Sequence, residues 1–194
     1  MLRRWSYAAI TVAVTHMIFG AIVRISGSGM GCGDHWPRCY GSWLPPFSQP
    51  TVVIEWTHRL LASVLVVAVT ALVIAAARRR DQPGVGGTGG VLRPALLALG
   101  LVIGTALFGM VTVKLRNAPL ATVAHWLLAA STLAALAAAA IRAGGFGTLA
   151  RDPQANGASS RAFRGARAAA VLALITVTFG GLTAKLPGAN VACR

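Results

Sequence analysis

Two histidines, one glutamate and a pair of cysteines carry most of the chemistry available to this chain. Glu55 and His58 form a Glu-x-x-His pair where a long apolar run begins, and His125 stands near the start of another. His58 follows Pro50 by eight residues and His125 follows Pro119 by six. Proline suits the first turn of a helix, so both imidazoles are expected roughly 9 to 12 Å along their helices, at about 1.5 Å per residue. Neutral imidazoles at matched depth on two parallel helices can ligate a planar iron macrocycle from opposite faces. For either histidine alone, ordinary interfacial packing explains it better. Matched depth in two related hairpins, in a chain with few polar groups inside its apolar runs, favours ligation. A spacing of three puts Glu55 on the same helical face as His58, where a carboxylate can relay protons or stabilise a cationic intermediate. The plain reading of Glu55 is a first-turn glutamate favoured by the helix dipole, or a partner of Arg59. A carboxylate-bridged di-iron centre needs several acidic ligands, and Glu55 is the one acid near these histidines.

Cys32 and Cys39 flank six residues in the polar loop from Gly27 to Ile54. If that loop faces an oxidising compartment, a disulfide is the default. Cys32, His35 and Cys39 as soft or borderline metal ligands are the alternative, without an evident fourth ligand. Cys193 has no evident partner. Arg24, Arg38, Arg59, Lys114 and Arg116 gather at one end of the apolar runs. Arg24 and Arg59 are the preferred candidates to bind the propionates of such a macrocycle, although snorkelling to lipid phosphates explains any one of them equally well. His16 lies deep in the first run and reads as a neutral packed histidine, with an inner-pocket residue as the alternative.

The elements that must position these residues are membrane helices. The chain has 4 acidic against 18 basic residues, 56% apolar residues and a mean hydropathy of +0.68. Five apolar runs approach or reach the roughly 20 residues that cross a bilayer: Tyr7 to Ile25, His58 to Ala77, Pro94 to Val113, Leu120 to Ile141 and Ala168 to Leu186. The expected fold is all-α, a polytopic bundle of about five transmembrane helices. The net charge of +14 is not a nucleic-acid signature, because the basic residues sit at run ends without aromatic interleaving or a recognition motif. Arg3, Arg4, Arg78 to Arg80, Arg93, Arg142, Arg151, Arg161, Arg164 and Arg167 fall on one side, which the positive-inside rule makes cytoplasmic. The cysteine loop and the turn from Lys114 to Pro119 then face outward. The first run lacks a small-residue cleavage site and is expected to be retained as a helix. Asp81 to Gly90 and Gly144 to Ser160 read as flexible cytoplasmic loops.

An internal repeat accompanies this organisation. Three outward-running segments end alike: FGAIVRIS from Phe19, FGMVTVKL from Phe108 and FGGLTAKL from Phe179. The echo from Phe19 to Cys32 in Phe179 to Cys193 suggests that the fifth run opens a second copy of a four-helix unit. The expected organisation is an amino-terminal four-helix haem-binding unit over residues 1–142, a cytoplasmic linker over 143–167, and the first helix of an incomplete second repeat over 168–194.

Together, GAIVRISGSGMGCGDHWPRCYG, IEWTHR and APLATVAHW resemble the haem A synthase family of membrane oxidases. The resemblance implies eight helices in two similar halves, of which this chain matches the first five. It implies oxidation of a methyl group of haem O to the formyl group of haem A for terminal oxidases, through a gem-diol that loses water. It also implies that Cys32 and Cys39 form the first-loop disulfide, that Glu55 is the loop glutamate of the reaction, and that His58 and His125 are the amino-half haem-iron ligands. That half is associated with substrate haem O. The carboxyl half of the family holds a haem b cofactor through histidines that this sequence does not contain. The expectation is a truncated product, or a short form in which a second copy supplies the missing half as a homo-oligomer. Its implied partners are haem O, the bilayer, haem O synthase and terminal oxidase assembly factors, and its implied place is the bacterial inner membrane with the amino terminus cytoplasmic. A non-catalytic haem carrier is the alternative from a different class.

Overall fold

The computed structural model describes residues 1–145 and 156–183. Among the described residues its helices are α1 (Leu2–Ile25), α2 (Pro50–Ala77), α3 (Leu92–Lys114), α4 (Pro119–Arg142) and α5 (Asn156–Thr183), with a 3-10 turn at Ser28–Met30. Among the described residues the extended pairing is limited to one bridge, between Cys39 and Ser42. The fold is therefore an all-helical polytopic bundle, and α1 to α4 are each long and apolar enough to cross a membrane. Pro50 and Pro119 occupy the first turns of α2 and α4, where proline's fixed φ is helical and its missing N–H costs no hydrogen bond.

The chain divides into two compact units, Met1–Phe146 and Gly147–Arg194. In the first, α1 packs on α2, α2 on α3, α3 on α4 and α4 back on α1, which leaves α2 and α4 as diagonal partners across the bundle. Away from the cysteine loop the interior is tightly filled. Ala9 and Ala13 of α1, Ala95 and Ala98 of α3 and Ala139 of α4 let the backbones approach around Leu72, Val69 and Leu136. Thr105 and Thr132 face each other across α3 and α4 with their hydroxyl oxygens 3.5 Å apart.

Two connections differ from the flexible loops expected of their composition. The turn between α2 and α3 buries Val85 and Val91, and Leu92 N–H donates to the Val85 carbonyl at 3.0 Å. Arg142 at the end of α4 donates to the Gly90 carbonyl at 3.1 Å, so the glycines serve a tight packed turn. In the second unit, α5 begins at Asn156, so residues 156–160 are helical where a loop was expected. The expected fifth span, 168–186, falls on α5 as far as Thr183, but among the described residues its apolar stretch is Val171–Gly180, shorter than a span; residues 184–186 and Cys193 lie outside the described residues.

Candidate functional site

The site is built at the end of the bundle that carries the cysteine loop, above the alanine-rich interior. The cysteine loop closes over α2 first. Cys32 and Cys39 are bonded to each other and, with Val52, form a small buried cluster against Trp56. Gly31 lies directly on the Thr51 carbonyl, where any Cβ would overlap the backbone. The indole N–H of Trp56 donates to the Trp43 carbonyl at 2.8 Å, and Phe47 packs edge-on against the Trp56 ring at 5.1 Å.

Glu55 is the polar centre of that closure. It is buried, with 3% of its surface exposed. Its Oε2 accepts a hydrogen bond from the Cys32 backbone N–H at 2.7 Å, and its Oε1 pairs with the Arg59 guanidinium one turn along. The other arm of Arg59 donates to the carbonyls of His35 at 2.8 Å and Arg38 at 3.1 Å. One carboxylate and one guanidinium thus hold the loop on α2 by charge-assisted bonds, which are stronger than neutral ones. The sequence-level pairing of Glu55 with Arg59 is present, and the loop contact adds a second partner.

A step of three residues turns His58 about 60° around α2 from Glu55. Glu55 faces the loop, while His58 faces α1. There the His58 ring lies flat on His16, with centroids 4.3 Å apart and planes 14° from parallel. Gly20, one turn beyond His16 on the same α1 face, makes room for the ring edge: a Cβ there would stand 3.2 Å from His58 Cε1. The second hairpin repeats the device. His125 of α4 meets Gly109 of α3, where a Cβ would stand 3.4 Å from His125 Cε1. Gly20 and Gly109 are the glycines of the first two Phe-Gly repeats, so that sequence echo marks imidazole seats. Its role was not legible without the packing.

His125 also stands within electrostatic range of both His16 and His58. His16 Nε2, His58 Nδ1 and His125 Nδ1 are buried without a hydrogen-bond partner. Unpartnered polar atoms at this depth are costly and point to a ligand not yet supplied by the protein. Among the described residues, no group of three or more histidine, cysteine or acidic side chains converges as a closed metal-ion cage. The donor set is open imidazoles, which suits a planar ligand entering between helices better than a bare ion.

The basic candidates separate by position. Arg24, one turn beyond Gly20 on α1, lies over the Trp126 ring at 5.4 Å from its centre, next to His125. Its guanidinium makes this cation–π contact beside the histidines, whereas that of Arg59 is taken up by Glu55 and the loop. Arg38 and Lys114 line a separate open cavity of about 500 Å³ beside the cysteine loop with His35, Trp36 and Trp43. Asn117 joins the α3–α4 turn to the α1–α2 loop by donating to the Gly29 carbonyl at 3.0 Å.

The family model for COX15-CtaA, described as cytochrome oxidase assembly protein, matches residues 3–194. Heme A synthase of Geobacillus thermodenitrificans is 40% identical over 72 residues, covering 37% of this chain and 23% of that protein. Heme A synthase of Geobacillus kaustophilus is 43% identical over 60 residues, covering 30% and 19% respectively. Protoheme IX farnesyltransferase of Thermus thermophilus is 40% identical over 103 residues, covering 53% of this chain and 15% of that protein. The matched stretches therefore span about a quarter or less of these relatives' lengths. No solved structure matches the chain.

Proposed function

The chain belongs to the COX15-CtaA family of cytochrome oxidase assembly proteins, and from that membership we propose that its first unit is the haem-binding half of a haem A synthase-type oxidase. On this reading His58 and His125 take haem O between α2 and α4, and its methyl group is oxidised to the formyl group of haem A. The observation that carries the reading is the pair of imidazoles on diagonal helices. Each is seated against a glycine and each retains a buried, unpartnered ring nitrogen. The similarity to proteins named heme A synthase supports the reaction class, and that to a protoheme IX farnesyltransferase supports a farnesylated haem as the molecule handled.

The residues fit such a group. When bound, the haem iron supplies the oxidative chemistry, while the protein supplies ligation, orientation and placed charge. His58 and His125 are the residues that would hold the iron. Arg24, beside Trp126 at the outer end of α1, is the side chain best placed to receive a propionate. Arg59 serves indirectly, by clamping the loop through Glu55 and the carbonyls of His35 and Arg38. Glu55 is the carboxylate that serves the site. Buried between the disulfide loop and α2, it keeps the loop closed one turn before His58. The loop faces the outside of a bacterial cell membrane, where the Cys32–Cys39 disulfide persists, and the arginine-rich ends of α2 and α4 face the cytoplasm. A haem O-producing enzyme upstream and a terminal oxidase downstream are the partners this reaction requires.

One observation favours the carrier reading: both oxygens of Glu55 are already engaged in holding the loop. Co-expression of the chain with a haem O source, followed by chromatography and mass spectrometry of the extracted haem, separates the two. The oxidase reading predicts haem A or its hydroxylated precursor in the wild type, and bound but unaltered haem O in Glu55→Gln. Unaltered haem O in both proteins would replace the oxidase by a carrier.

A further inference from the structure

The three Phe-Gly segments differ at one position that the haem reading leaves unexplained. Four residues before the glycine, α3 has Thr105 and α5 has Thr176, but α1 has His16. Each threonine satisfies its own hydroxyl by donating to the carbonyl one turn back, Thr105 to Leu101 at 2.7 Å and Thr176 to Leu172 at 2.8 Å. A threonine at that place is therefore self-sufficient in an apolar setting. His16 instead is 9% exposed with an unpartnered Nε2, a costly choice for packing alone. Its ring covers the face of His58, and Gly20, on the same α1 face, receives the edge of the same ring. One helix thus defines both the plane and the approach of His58. In the other hairpin Gly109 receives the edge of His125, while Thr105 turns its hydroxyl to Leu101 and toward Thr132 of α4.

We propose that His16 is a positioning residue that locks the ring plane of His58, so that the imidazoles presented by α2 and α4 are held unequally. His58 is the fixed partner of the macrocycle. His125 is held differently, at its edge by Gly109 and by the Thr105 backbone, with no aromatic ring stacked on its face among the described residues. The proposal rests on the haem reading above, and one part of its test does not.

The test uses the full chain in detergent with His16→Thr, the residue of the sister segments, and His16→Phe, which keeps a flat ring. With ferric haem bound, electron paramagnetic resonance reports the angle between two axial imidazole planes. His16→Thr is expected to shift and broaden the low-spin signal and to weaken haem affinity about tenfold, the scale of a lost outer-shell contact. His16→Phe is expected to keep the wild-type signal. Without haem, the ring-current shift of the His58 Cε1 proton should persist in wild type and in His16→Phe and vanish in His16→Thr. Should His16→Thr fail to accumulate, His16→Leu, which fills the space without a ring, takes its place. Identical spectra for wild type and the ringless variant, or for the ringless variant and His16→Phe, would overturn the proposal. Failure of the wild type to bind haem would overturn the haem reading, and the haem-free ring-current shift would then decide the role of His16 alone.

Discussion

The α1–α2 and α3–α4 hairpins are two versions of one design. In each, a Phe-Gly on the first helix leaves a gap and a histidine shortly after an N-terminal proline on the second helix fills it. They differ in everything around that contact. The first hairpin adds a stacked His16, a cysteine-bracketed loop clamped by Glu55 and Arg59, and Arg24 one turn beyond its glycine. The second has Thr105 in place of His16 and a short turn, Arg116 and Asn117, with left-handed backbone at both residues. What is common to both hairpins is what two-sided ligation of one ring requires. What is particular to the first is what orientation, closure and charge placement require. On the proposed reading, the repeated contact presents the two imidazoles and the features particular to the first hairpin make them unequal.

The sharpest way to break the comparison is to remove its shared element. His58→Ala and His125→Ala should each abolish stable haem binding, read as loss of haem from the purified protein. If only one of them did, the hairpins would not be equivalent ligand donors. Next in size, Glu55→Ala strips the clamp particular to the first hairpin and leaves Arg59 facing a buried gap. Breaking a mostly buried pair costs about 3–5 kcal/mol, discounted here because Arg59 retains some solvent and its carbonyl partners. Denaturant or thermal unfolding in detergent should show the loss, and proteolysis should cut the loop between residues 27 and 49 first. Glu55→Gln, which still accepts from Cys32 N–H, should lose distinctly less.

The glycine seats sharpen the comparison quantitatively. Gly20→Val and Gly109→Val should each destabilise by about 1–3 kcal/mol, as overpacking does. The milder Gly20→Ala should reduce haem retention more than Gly109→Ala, because its Cβ would stand at 3.2 Å rather than 3.4 Å and the ring it meets is backed by His16. Equal behaviour would argue that His58 can yield as easily as His125. The smallest expected effect is that of Arg24→Gln. It removes a cation–π contact worth about 0.5–1 kcal/mol and should weaken affinity for haem more than for its propionate diester.

Much of this was legible in the sequence, for identifiable reasons. The apolar runs end where arginines, lysine or glycine interrupt them, so the carboxyl ends of α1 to α4 fall within a residue of expectation. Pro50 and Pro119 announce the starts of α2 and α4, and with them the depth of both histidines. Glu55 and Arg59 were readable as a pair from their spacing. The third member of the histidine cluster was not. Periodicity places His16 deep in α1, but only the pairing of α1 with α2 brings it against His58, and so the expectation of simple packing missed its stack. Gly20 and Gly109 were visible as a repeat, yet a glycine's purpose depends on which atom approaches it. The same holds for the turn over residues 81–90. Its composition reads as flexible, whereas Val85 finds a buried place and Arg142 caps its carbonyls.

The most direct test of the account is titration of the purified full chain with ferric haem, read by near-infrared magnetic circular dichroism, which distinguishes bis-imidazole ligation from other axial pairs. The account predicts one low-spin bis-imidazole haem per chain, with that signal lost in His58→Ala and in His125→Ala alike. A wild-type spectrum retained in either variant, or a haem whose ligation does not involve two imidazoles, would contradict it.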